Sequence, residues 1–149
     1  MSSPLESLEP AILWQHFDTI RKTPRPSKHE EKIVAEVKSW AAKRGFEVLQ
    51  DDAGSMTIKV PATPGHDDAP TVILQGHLDM VCEKNSDVEH EYMTEGFEVE
   101  VVGDWVQAKG TTLGADNGIG VAAAMAIADD PDAVHGPLEL LCTIDEETG

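Results

Sequence analysis

One stretch constrains this chain more than any other: Thr71-Val72-Ile73-Leu74-Gln75-Gly76-His77-Leu78-Asp79-Met80-Val81-Cys82. Its β-branched and aliphatic opening reads as a buried strand. The run stops at Gly76 and delivers His77 and Asp79 where it ends. In open α/β sheets, ligands and reactive groups collect at such strand ends. In an H-x-D pair both side chains lie on the same side of an extended backbone. That spacing suits an imidazole that binds a metal while a carboxylate holds its other ring nitrogen. Taken singly, it equally suits a surface loop with an unrelated His and Asp.

A second stretch, Gly110-Thr111-Thr112-Leu113-Gly114-Ala115-Asp116-Asn117-Gly118-Ile119-Gly120, runs into the Ala-rich, apolar segment 121–128, which reads as a buried helix. Gly118-x-Gly120-x-x-Ala123 imitates a dinucleotide fingerprint, but no strand leads directly into it and no acid ends a strand about 20 residues on. Asp116 is then either a helix N-cap or a ligand. The glycines around it favour a close approach of backbone to some group. A third stretch, Leu138-Glu139-Leu140-Leu141-Cys142-Thr143-Ile144-Asp145-Glu146-Glu147-Thr148-Gly149, is an apolar strand ending in consecutive carboxylates. Such a cluster is either solvated or held by a cation. Together the three supply nitrogen and oxygen donors without thiolate, a set that suits Zn²⁺, Mn²⁺ or Co²⁺ in a hydrolytic site.

The chain has 149 residues, enough for one ordinary domain. Its net charge of -17 excludes nucleic acid and anionic membrane as partners, since both need basic patches. Cys82 and Cys142 lack CxxC spacing and lie in or beside apolar runs, as reduced thiols of a cytoplasmic protein do. The N-terminus lacks signal-peptide character, and no apolar run is long enough to span a bilayer.

Periodicity predicts helices over 9–22, 27–44 and 117–129, and strands over 46–51, 55–60, 71–76, 97–102, 104–108 and 138–144, arranged as an α/β fold with a mixed sheet flanked by helices. Ser27 and Glu30 form a capping-box pattern for the second helix, and Gly45 fits its C′ position. His29-Glu30-Glu31 reads as a solvated first turn, and His66 and His90 as solvated loop residues.

The three stretches closely resemble the bacterial aminoacyl-histidine (Xaa-His) dipeptidases of the M20 metallopeptidases, and the resemblance covers nearly the whole chain. It implies that His77 binds one metal, Asp79 orients it, Asp116 bridges two metals, Glu147 binds the second and Glu146 is the general base. It further implies a cis peptide bond at Asp116–Asn117, two divalent ions (Zn²⁺ first, Mn²⁺ or Co²⁺ otherwise), a dipeptide substrate and a homodimeric full-length enzyme. The family completes its metal sites with a downstream acid and His, and carries a smaller lid and dimerisation domain. The expectation is therefore that residues 1–149 form the N-terminal part of a catalytic domain, inactive alone, with the strand 138–144 lying at an exposed edge. Two alternatives stand beside it: another M20-type aminopeptidase or deacylase, and a non-catalytic fragment that acts through a partner chain.

Overall fold

A computed structural model describes residues 3–149. The helices are α1 (Ala11–Lys22), α2 (Glu31–Lys43) and α3 (Ala115–Asp129); the strands are β1 (Glu47–Gln50), β2 (Met56–Val60), β3 (Val72–His77), β4 (Val99–Val102), β5 (Trp105–Ala108) and β6 (Leu138–Thr143). Four strands form a mixed sheet in the order β1-β2-β6-β3. β6 runs antiparallel to β2 and parallel to β3. The β4–β5 hairpin stands apart as its own two-stranded sheet, not as an extension of the mixed sheet that the predicted strands suggested.

Alternation along the central strands decides which face is covered. Met56, Ile58 and Val60 of β2 are buried and pair with buried Cys142, Leu140 and Leu138 of β6. The buried residues of all three helices join the same cluster, among them Phe17 and Ile20, Ile33 and Val37, and Val121 and Met125. On the opposite face, Lys59 is exposed and Ile73 is 58% exposed. α3 is less buried than its composition suggests: Val121, Ala122 and Met125 face the core while Ile127 is 41% exposed. An apolar helix can still present only one stripe to a single layer.

β6 is an interior strand, and the free edges belong to β1 and β3. The expected open edge at 138–144 is thus corrected: β2 and β3 pair with β6 on its two sides along its full length.

The ends of α2 show which local rules hold. Its C-terminus closes as predicted, with Gly45 at φ +71°, its N–H bonding to the Ala42 carbonyl and that of Phe46 to Ala41. The N-terminus does not form a capping box. The helix begins at Glu31 with no side-chain cap, because Ser27 and Glu30 are drawn to distant segments.

Candidate metal centre

Parallel pairing of β3 with β6 places His77 opposite Thr143 at a common end of the sheet. α3 packs along β3, bringing its first residues to that same end. His77, Asp116 and Glu147 therefore converge, with one possible ligand atom of each within 4.8 Å of the others. The His77 ring is buried, while Asp116 projects outward with its side chain 84% exposed. His77 Nε2 lies 3.0 Å from Asp116 Oδ1 and 3.7 Å from Glu146 Oε2. Nδ1 lies 3.0 Å from the Asp79 carbonyl oxygen and 3.4 Å from its carboxylate Oδ1. A carbonyl only accepts, so Nδ1 carries a hydrogen; a carboxylate only accepts too, so Nε2 carries one as well when it bonds Asp116, and in the neutral ring its lone pair is left for a cation. Burial pushes the His77 pKa down, but the bond to Asp116, the bond to the Asp79 carbonyl and the nearby charges of Asp79 and Glu146 outweigh it and hold it above 6.5.

Asp79 is fully buried. Its Oδ1 accepts the Glu146 N–H at 3.0 Å, and Oδ2 accepts the Glu147 N–H at 3.1 Å and the Ser27 hydroxyl at 2.7 Å. Burial alone would raise its pKa, yet these three donors hold it below 3.8. The carboxylate thus fixes the turn bearing Glu146 and Glu147, while the carbonyl of the same residue takes the shorter contact to the imidazole. Asp145, at φ +55°, reverses the chain into the 3-10 turn Glu146–Thr148.

The peptide bond Asp116–Asn117 is cis. Neither residue has helical dihedrals, and the Asp116 carboxylate bonds His77 rather than a backbone N–H of α3. The close approach expected of the glycines is real, but its partners are protein groups. A Cβ on Gly114 would lie 2.5 Å from Arg25 Nη2, and one on Gly118 2.7 Å from the same atom. A Cβ on Gly120 would lie 2.0 Å from the Asn117 side-chain oxygen.

Three participants went unnoticed in the sequence. Arg25 is 1% exposed; its Nη1 donates to the carbonyls of Leu78 and Asp79, and Nη2 to that of Gly114. Ser27 binds Asp79 as above. Glu30 is buried, so the solvated-turn reading fails for it; its Oε1 accepts the Asp145 N–H at 2.9 Å. The one faint signal was a lone Arg set between two prolines. His90 also departs from expectation: its side chain is 10% exposed, stacked on Phe97 with ring centroids 5.4 Å apart. His66 is exposed, as predicted.

The donor set at His77, Asp116 and Glu147 is one imidazole and two carboxylates, which fits a borderline divalent cation. Neither thiol belongs to it. Burial pushes Cys82 to about 11 and Cys142 to about 12, leaving both protonated at neutral pH.

No protein-family model matches the chain. It is 46% identical over 147 residues to the cytosol non-specific dipeptidase of Escherichia coli, a match covering 99% of this chain and 30% of that protein. The structure of an aminoacylhistidine dipeptidase from Vibrio alginolyticus superposes with a TM-score of 0.94 at 48% identity, over 97% of this chain and 30% of the other. A tripeptidase from Staphylococcus aureus shares the fold, with a TM-score of 0.75 at 20% identity over 93% of this chain and 37% of its own. The chain thus spans about a third of the length of each of these relatives. In sequence and in fold, it is similar over nearly all of its length to the N-terminal portion of a cytosol non-specific dipeptidase and of an aminoacylhistidine dipeptidase.

Proposed function

We propose that this chain is the metal-binding N-terminal part of a dipeptidase that hydrolyses short peptides, Xaa-His dipeptides foremost, in the cytoplasm and as a homodimer when full length. The observation that supports it best is the convergence of His77, Asp116 and Glu147 in a chain 46% identical to a dipeptidase. His77 and Asp116 would hold one divalent ion, and Asp116 and Glu147 a second, with zinc the first choice. When bound, such ions supply Lewis-acid activation of a water and of the scissile carbonyl.

The chain's own residues supply the rest. Glu146 stands 3.7 Å from His77 Nε2 with its side chain 56% exposed, within reach of a proton at this site. As general base it would take that proton and return it to the leaving amine. Asp79 holds the backbone of Glu146 and Glu147 and leaves their carboxylates free. Asp116, outward-facing at the entrance of α3, would be the carboxylate that both ions use.

A chimera tests this reading. The chain replaces the matched segment of the E. coli dipeptidase, and Xaa-His dipeptide hydrolysis is followed with and without Zn²⁺ or Mn²⁺. Metal-dependent turnover is expected, with Glu146→Gln lowering kcat about 10²–10⁴-fold. A folded chimera without activity, or one indifferent to Glu146→Gln, would overturn the assignment. A panel of tripeptides and acylated amino acids in the same assay decides between this and other M20-type chemistries.

A further inference from the structure

The linker between α1 and α2 touches every stretch that contributes to the candidate metal centre. Arg25 reaches the exit of β3 and the entrance of α3: Nη1 is 3.0 Å from the Leu78 carbonyl and 3.1 Å from that of Asp79, and Nη2 donates to Gly114. The Met80 N–H returns a bond of 3.1 Å to the Arg25 carbonyl, and Pro26 bridges to Met80 in parallel. Ser27 holds Asp79, and Glu30 holds Asp145 at the exit of β6.

Among these contacts Arg25 alone joins the His77 side of the site to the Asp116 side. Asp116 itself is poorly held. Its side chain is 84% exposed and its hydrogen bond is to His77. The position of its backbone must therefore come from the turn before it, and Gly114 is the residue Arg25 grips. Gly114 and Gly118 close over the guanidinium so tightly that a methyl group on either would press against Nη2. A planar fork can serve carbonyls on two segments at fixed separation, which the single ammonium of lysine cannot do. Among the described residues, nothing partners the buried Arg25 Nε. That is a cost accepted for aiming the other two nitrogens. Burial brings Arg25 down to about 10, with Cys82, Asp79 and Glu147 pulling the other way, so it stays cationic at neutral pH.

We propose that Arg25 is a positioning residue that sets the separation between His77 and Asp116 and so tunes the site for its ions. The functional half of this inference rests on the metal-centre reading above; the mechanical half does not. The test uses the metal-free chain and two variants, Arg25→Lys and Gly118→Ala, the second keeping the guanidinium but displacing it. Amide hydrogen exchange is read by NMR at Met80 and Gly118, with Val37 and Ile58 as core controls, and Zn²⁺ is then titrated by calorimetry. Exchange, corrected for the intrinsic rate of each sequence, is expected to quicken together at Met80 and at position 118 in both variants while the core amides hold, and Zn²⁺ affinity to fall about 10–100-fold. Unchanged exchange at the two loops, or variants that bind Zn²⁺ as tightly as the wild type, would overturn the role given to Arg25. If Arg25→Lys fails to fold, Gly118→Ala decides. A wild-type chain that takes up no Zn²⁺ would overturn the metal-centre reading instead, and the exchange comparison would still decide Arg25.

Discussion

Asp79 is the residue on which the site turns, because both carboxylate oxygens receive N–H or O–H donors and none of it is exposed. Asparagine at this position would set an amide N–H₂ against a backbone N–H, so Asp79→Asn is expected to cost about 1–3 kcal/mol. Ser27→Ala, which removes one donor, should cost about 1 kcal/mol; urea denaturation measures both. The histidines give a pH test of opposite signs. Burial, against the pull of Asp129, holds His16 below 6.5. Its contribution is present above 6.5 and is lost as the pH falls through the folded value. His77 is held above 6.5, so its contribution is full below 6.5 and is lost as the pH rises through the folded value. In the metal-free chain the two oppose each other near neutrality. His16→Gln should therefore lack the gain in stability that the wild type shows as the pH rises toward 6.5, and His77→Asn the loss it shows as the pH rises above 6.5; urea midpoints on either side of that value check the signs.

Elements are held together here by close crossings as much as by apolar faces. The segment leading into β4 passes over the end of α1, where a Cβ on Gly96 would lie 2.3 Å from the Lys22 Cα. Phe97 N–H bonds to the Arg21 carbonyl at 2.9 Å in the same crossing. Backbone cannot yield as a side-chain tip does, so Gly96→Ala should lose about 1–3 kcal/mol, visible as a lowered Tm, whereas Gly103→Ala meets no neighbouring atom within 4 Å and is strained only by its left-handed φ of +60°. The elements that sequence made legible are those defined within themselves. The period of Ile33, Val37, Trp40 and Ala41 locates α2, and the alternation of Met56, Ile58 and Val60 locates β2. That His77, Asp116 and Glu147 converge was legible through the family resemblance, since a strand end or helix entrance alone left each open to a solvated or capping reading. What stayed hidden depends on distant partners. Ser27 and Glu30 have the spacing of a cap, but a buried aspartate and a backbone N–H far along the chain compete for them and win. Arg25 carries no local pattern at all, and the separation of the β4–β5 hairpin from the main sheet is a matter of register between strands that no single strand encodes.

At the scale of the molecule, ligand count governs what the chain does alone. A catalytic zinc usually has three protein ligands, and the converging set among the described residues offers one imidazole and two carboxylates for two ions. Incubated by itself with Zn²⁺ and an Xaa-His dipeptide, the chain is expected to show metal uptake without turnover, and turnover abolished by Glu146→Gln would sink that expectation. The −17 net charge has a different use. The outer edge of β3 runs from Val72 to His77 without an Asp, Glu, Lys, Arg or proline, and Val72 and Ile73 are 50% and 58% exposed. Nothing along that seam repels an identical seam on another copy. In solution the molecules therefore behave as charged colloids whose acidic coat keeps apart surfaces that would otherwise zip together. As the pH falls toward the isoelectric point near 4.5, the coat is discharged. Light scattering should then climb steeply, and a lysine charge placed directly on the seam, as in Ile73→Lys, should hold the solution clear.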